Sequence, residues 1–305
     1  MSSSNLDAFR SLVRTEGARL YRDLPWRQTR DAYEIWLSEV MLQQTQVARV
    51  QTRWQEWLDR FPSVFSLAEA STADVLAAWQ GMGYNRRALA LKATAEEVVR
   101  AYDGVFPAGT KELVALPGIG PATAQGIRAF AYDLPGVYLE TNVRTVVLHH
   151  LFPDVPSVPD KELVPLVQAT CPAGEGGCAD ANTGTPFAEP QDEADTPRSW
   201  YYAMLDYGAY LKKTVPNPSR RAKAYTRQSK FEGSRRQKRA EVVRMLLTAQ
   251  AAGEALDAGA ILQGLNRVER EAGRPAVELE FVQSLLDDLQ REGFCREADG
   301  VWRIA

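Results

Sequence analysis

Leu116-Pro117-Gly118-Ile119-Gly120-Pro121-Ala122-Thr123-Ala124 lies between two segments of helical periodicity, and few folds accommodate such a run. Two glycines two positions apart let the backbone turn tightly and approach another chain closely. Pro121 suits the first position of the following helix, where its fixed φ fits and its missing N–H is not needed. Amides of the turn and of the helix start are then left to bind a phosphate. An ordinary glycine-capped helix end is the competing reading, and the length of the run favours the phosphate.

A turn of this kind between helices is the helix–hairpin–helix signature of proteins that hold a DNA backbone, and the rest of the chain suits that setting. Residues 6–20 place Leu6, Phe9, Leu12, Val13 and Leu20 at helical spacing. After a break at Leu24-Pro25-Trp26-Arg27, a long helical stretch covers 32–58, kinked at Gln43-Gln44-Thr45-Gln46. Amphipathic segments follow at 64–70, 72–79, 86–102, 110–116, 121–132, 142–151 and 200–213, and nothing in the first 215 residues alternates as strands do. The expected fold class is all-α and two-lobed. Residues 172–197 carry one aromatic, Phe187, among Gly, Pro, Ala and acids, so a surface insertion without a core is expected. The spacing predicts a domain over 1–218, a basic linker over 219–233 and a third region over 234–305. That last region reads as helices at 236–251, 258–272 and 279–293, then two short β-type runs around Asp299-Gly300, the order of a winged helix.

Net charge of −3 says nothing about nucleic acid, but its distribution does. Twelve Lys/Arg against two acids lie in 212–244, whereas 175–195 holds six acids and no base. A polyanion responds to such local fields rather than to the total. Three cysteines, Cys171, Cys178 and Cys295, cannot supply a four-thiolate metal site, so no metal or cofactor is expected. Met1-Ser2-Ser3-Ser4-Asn5 lacks the blocks of a signal peptide, and no run approaches the ~20 apolar residues of a membrane span. A cytoplasmic monomer is expected, associated with the nucleoid if the source is bacterial.

Two acids stand alone in apolar surroundings: Glu39 in Trp36-Leu37-Ser38-Glu39-Val40-Met41-Leu42, and Glu140 in Val137-Tyr138-Leu139-Glu140-Thr141-Asn142-Val143. Such surroundings raise a carboxylate pKa and suit acid catalysis near neutrality, as cleavage of a glycosidic bond requires. A helix cap or an ion pair explains either residue equally well at this point.

Ile35-Trp36-Leu37-Ser38-Glu39-Val40-Met41-Leu42-Gln43-Gln44-Thr45-Gln46-Val47 resembles the signature of MutY-type adenine DNA glycosylases, of the superfamily that also holds endonuclease III. The likeness extends over 24–211 apart from the insertion, through Trp79-Gln80-Gly81-Met82-Gly83-Tyr84, the hairpin, and Glu140-Thr141-Asn142-Val143-Arg144. It implies a glycosylase that flips a base out of double-stranded DNA and hydrolyses its N-glycosidic bond. Under it, Glu39 is the general acid, Glu140 the second carboxylate, and Asn142 a residue that helps hold water or that carboxylate. Leu24, Trp26, Tyr202 and Asp206 would line the base pocket. Gln43, Gln44 and Tyr84, with Gly118, Ile119, Gly120 and Ala122 of the hairpin, would contact DNA, Gln44 and Tyr84 by filling the vacated stack and sensing the opposite base.

Departures from the family's pattern refine the expectation. Glu140 stands where Asp is usual, and the extra methylene displaces the carboxylate by roughly one bond length, ~1.5 Å. Ala122 stands where lyases carry a Schiff-base lysine, which implies hydrolysis without lysine-dependent strand cleavage. Tyr202 stands where adenine enzymes often have Gln, and Lys212 where the first iron–sulfur cysteine would fall. The Nudix-like domain of the family is replaced by 234–305, as in the clusterless branch. A glycosylase for a deaminated or alkylated base, or a DNA-structure binder without chemistry, are the alternative readings.

Overall fold

The computed structural model describes residues 3–173, 195–226 and 230–305. Most of the acidic segment expected over 172–197, and Cys178 within it, lies outside the described residues. Helices dominate: α1 (Ser3–Arg19), α2 (Ala32–Leu42), α3 (Val47–Arg60), α4 (Val64–Glu69), α5 (Thr72–Ala78), α6 (Arg86–Tyr102), α7 (Thr110–Ala115), α8 (Pro121–Phe130), α9 (Thr141–Leu151), α10 (Asp160–Thr170), α11 (Pro197–Thr214), α12 (Arg235–Ala251), α13 (Ala258–Glu271) and α14 (Leu279–Arg291). They are followed by strands β1 (Cys295–Ala298) and β2 (Val301–Ile304). This is the all-α fold expected, with a minor hairpin at the C-terminal end. Two elements differ from the periodicity. The stretch at 32–58 is two helices, because Gln44 turns into the left-handed region at φ 54°. Helix α10 is absent from the sequence reading: Pro165 sits inside it, although Leu163 and Val167 supply a buried face.

The chain forms two compact units, each from two stretches of sequence: Met1–Trp54 with Val105–Arg227, and Gln55–Gly104 with Gln228–Ala305. In the first unit α9 and α1 pack on α11, and α2 packs on α8. Trp36, Leu37, Phe130, Trp200 and Tyr201 are almost wholly buried there. Local signals start the helices: Asp31 accepts from the amides of Tyr33 (2.7 Å) and Glu34 (3.3 Å) at α2, and Thr196 and Ser199 cap α11 reciprocally.

In the second unit α4 and α5 pack on α6, with Trp57 set edge-on to Trp79 at 5.5 Å. Helices α12–α14 enclose Val242, Leu246, Ile261, Leu285 and Leu289. The hairpin pairs Cys295 with Ile304 and Ala298 with Val301 through a two-residue turn, Asp299 (φ 53°) and Gly300 (φ 77°), whose positive φ values match strand twist. The basic run is largely answered within this unit. Arg235 meets Asp288 (2.5 Å), Arg239 meets Glu292 (2.5 Å) and buried Lys238 meets Glu269 (2.9 Å). The acids of α13 and α14 thus hold the tail together. No helix among the described residues is long and apolar enough to cross a membrane.

Candidate active site

Glu39 lies on α2 facing α8, and its carboxyl Oε2 accepts a hydrogen bond from Tyr138 Oη at 2.9 Å. Among the described residues no ion pair reaches it. Burial of the carboxyl is the leading cause of a pKa pushed up to about 8; the Tyr138 hydrogen bond opposes that rise and the nearby Glu140 adds to it. Gly126 of α8 makes the close approach possible, since a Cβ there would sit 2.2 Å from Glu39 Oε2. Gly in a helix interior costs ~1 kcal/mol relative to Ala, so the packing repays a local weakness. Gly126→Ala is expected to keep the fold, because the carboxyl can swing aside, while base release falls by about 10²-fold, the scale of a ~1 Å misplacement. Single-turnover kinetics and an unfolding curve on the same preparation check this; undiminished release would show that the carboxyl position is not critical.

Glu140 is the N-cap of α9. Its Oε1 accepts from the Asn142 amide and from the Val143 amide at 3.0 Å, so the longer side chain folds back onto its own helix. Burial raises its pKa, against which the amides of Val143 and Asn142 and the charge of Lys212 act. Of the two carboxyls, Glu140 therefore has the groups that favour the charged form, and Glu39 the surroundings that favour the proton. The capping alternative holds for Glu140, and neither alternative holds for Glu39. Asn142 Oδ1 accepts from Lys212 Nζ at 3.1 Å.

Tyr138 is 5% exposed and lies edge-on to Phe130 (5.2 Å), which stacks on Tyr202 at 4.5 Å and 6°. The Tyr202 hydroxyl is buried with no hydrogen-bond partner. The Arg27 guanidinium lies over the same ring at 4.3 Å. Asp206 takes both Arg27 nitrogens at 2.7 Å and Arg22 Nε at 2.5 Å; the side chains of Arg27 and Asp206 are each 1% exposed. Asp206 is thus enclosed by two arginines. Leu24 and Trp26 are buried, Trp26 in the 3₁₀ turn Pro25–Arg27 and edge-on to Trp54.

The hairpin presents the expected surface. Gly118 turns at φ 74°, Leu116 and Ile119 anchor it in the core, and Gly118, Gly120 and Ala122 are exposed. No side chain caps α8. Gln43 is exposed and donates to Thr123 Oγ1 at 3.3 Å; Gln44 is exposed on the turn after α2. Tyr84 belongs to the second unit, in a loop where Gly83 and Tyr84 have φ of 69° and 49°. Sequence reasoning missed three participants: Gly126, Tyr138 and Arg27. A helix-interior glycine was a usable signal for the first; the other two depend on contacts 99 and 179 positions apart.

Buried carboxyls beside a helix–hairpin–helix define a class of enzyme that acts on DNA. Residues 37–164 match the HhH-GPD superfamily of base excision DNA repair proteins. The adenine DNA glycosylase of Mycobacterium tuberculosis (strain CDC 1551 / Oshkosh) is 36% identical over 242 residues, 76% of each chain. That of Mycolicibacterium smegmatis is 45% identical over 127 residues, covering 41% of this chain and 43% of the relative. Among solved structures, a thermostable thymine-DNA glycosylase superposes with a TM-score of 0.56 at 21% identity, over 68% of this chain and 87% of its own. A non-covalent endonuclease III–DNA complex gives 0.51 at 13%, over 78% and 94%. The chain belongs to the adenine DNA glycosylase family, within the HhH-GPD superfamily. It is a DNA N-glycosylase of base excision repair.

Proposed function

We propose that this enzyme removes adenine from double-stranded DNA by hydrolysis, without a lysine-dependent lyase step. The observation that carries the reading is the buried, tyrosine-held carboxyl of Glu39, with its pKa of about 8. An acid of that pKa keeps its proton at neutrality and can pass it to the departing base. Glu140, the more readily ionised of the pair, stabilises the electron-poor sugar, with Asn142 and Lys212 beside it. Tyr202, Leu24 and Trp26 line the base pocket, and the unpartnered Tyr202 hydroxyl is a group that a bound base would satisfy. Asp206 acts one step back, by holding Arg27 against the Tyr202 ring. The hairpin residues Gly118, Ile119, Gly120 and Ala122 hold phosphate, Gln43 and Gln44 enter the vacated stack, and Tyr84 reads the opposite strand. Residues 1–218 carry the chemistry, and the protein works as a cytoplasmic monomer.

A hydroxyl at 202 in place of an amide also favours a second reading, excision of a deaminated or alkylated base. Duplex oligonucleotides with A opposite 8-oxoguanine, A opposite G, hypoxanthine, uracil, or T opposite G separate the two after hot-alkali treatment. Release of adenine supports the first reading. Release of another base in its place supports the second, and strand breaks without alkali would overturn the hydrolytic assignment.

The Tyr138 contact gives a pH test. The phenol favours ionised Glu39, so its loss in Tyr138→Phe raises the carboxyl pKa further. Wild-type release is expected to fall as pH rises through about 8, and the variant's falling limb to lie at higher pH. An unmoved limb would mean that Glu39 does not set it.

A further inference from the structure

We propose that the N-terminal turn of α12 is part of the opposite-strand reader, with Arg236 and Tyr84 contacting the purine that faces the excised base. The proposal rests on the reading of Tyr84 given above. Tyr84 and Arg236 are 152 positions apart in sequence yet joined within the second unit: Arg236 Nη1 donates to Tyr84 Oη at 2.9 Å, and its guanidinium lies over the Tyr84 ring at 4.9 Å. The same guanidinium lies over Phe231 at 5.4 Å, and Phe231 is 44% exposed. Arg87 also lies near the Tyr84 ring, at 5.5 Å.

Three neighbouring cations on α12 serve the tail itself, as Arg235, Lys238 and Arg239 meet Asp288, Glu269 and Glu292. Arg236 instead lays its plane on two aromatic faces, one of them open to solvent. An exposed aromatic beside a stacked guanidinium is the composition of a surface that receives bases. Tyr84 is held in the left-handed region, an unfavourable conformation for a bulky residue and one that occurs at ligand-contacting sites. A phenol oxygen that accepts from a cation makes its own O–H a stronger donor. Donors from Tyr84 and Arg236 suit a purine that presents a carbonyl, the O6 of guanine or of its 8-oxo form, over a pyrimidine.

The test uses the full-length protein and the Arg236→Ala, Arg236→Lys and Tyr84→Phe variants. Affinity is measured, in a Glu39→Gln background that prevents turnover, for duplexes with A opposite 8-oxoguanine, guanine or thymine. Arg236→Ala is expected to weaken binding to the two carbonyl-purine duplexes about 10-fold and to leave the thymine duplex within 2-fold. Arg236→Lys keeps the charge but not the planar fork, so it should lose most of the same preference. Adding Tyr84→Phe to Arg236→Ala should cost less than the product of the single effects, because the two side chains act together. A loss equal for all three duplexes, or no loss, overturns the proposal. Unfolding curves monitor integrity, and if Arg236→Ala is unfolded the Arg236→Lys preference decides. Base release by the wild type is read separately: with none from any duplex the proposed function fails, while the binding preference still judges Arg236.

Discussion

Glu39→Gln is expected to lower single-turnover base release by about 10²–10⁴-fold, the range for a positioned general acid, and to make the protein more stable above pH 5. The amide keeps the shape of the side chain and can still accept from Tyr138, but it has no proton to give. Stability follows from the raised pKa. Folded Glu39 holds its proton up to about pH 8, whereas the unfolded side chain releases it near 4.5. Between those values the folded state binds more protons, so wild-type stability falls as pH rises and the fall is complete above about 8. The glutamine variant has no such dependence. Its advantage should open above about pH 4.5 and reach a few kcal/mol, each pKa unit being ~1.4 kcal/mol. Urea unfolding at pH 5 and pH 8 with both proteins gives the comparison. Equal stability at both pH values would show that the carboxyl is not enclosed in solution, and full activity would remove Glu39 from the chemistry.

Asp206→Ala carries the largest expected loss of stability. Arg27 and Asp206 meet through two hydrogen bonds of 2.7 Å, with both side chains almost sealed from water. Removing the carboxylate leaves the Arg27 guanidinium buried beneath Tyr202 without its counter-charge, and breaking such a pair costs about 3–5 kcal/mol. Arg22 is a lesser partner, since its side chain reaches solvent at 34% exposure. Chemical denaturation should show the midpoint falling with the slope unchanged. A change below ~1 kcal/mol would mean that water enters and solvates Arg27. Because Arg27 also supports the Tyr202 ring, the folded fraction of the variant should bind substrate duplex more weakly than wild type.

The parts of this molecule that were legible in the sequence are those set by short-range chemistry. The hairpin 116–124 declares itself through Gly118, Gly120 and Pro121, and the terminal hairpin through Asp299-Gly300, where both residues need positive φ. Helices with one apolar face follow from spacing, and α10 escaped because Pro165 interrupts the pattern that Leu163 and Val167 begin. Glu39 stood out as a lone acid among apolar neighbours. What it touches did not, since Tyr138 and Gly126 reach it only after α2 packs on α8. Charge was legible in amount and misleading in effect. The run over 212–244 reads as a strong positive field, yet Arg235, Lys238 and Arg239 are matched by acids 31 to 53 positions away. A composition count has no access to that pairing. Asp206 likewise reads as a polar group beside a pocket until Arg22 and Arg27 are seen around it.

The passage of the chain between units at 54, 104 and 227 bears on how the protein is made. Residues 55–104 leave the ribosome long before 228–305, which complete their unit. At 5–20 residues per second the wait is roughly 6–25 s. Throughout it, the surface of α5 that α12 will cover stays open to other nascent chains and to chaperones. Synthesis halted after α11 would therefore leave a half-built unit inside an otherwise finished one, a product suited to degradation rather than to repair of DNA.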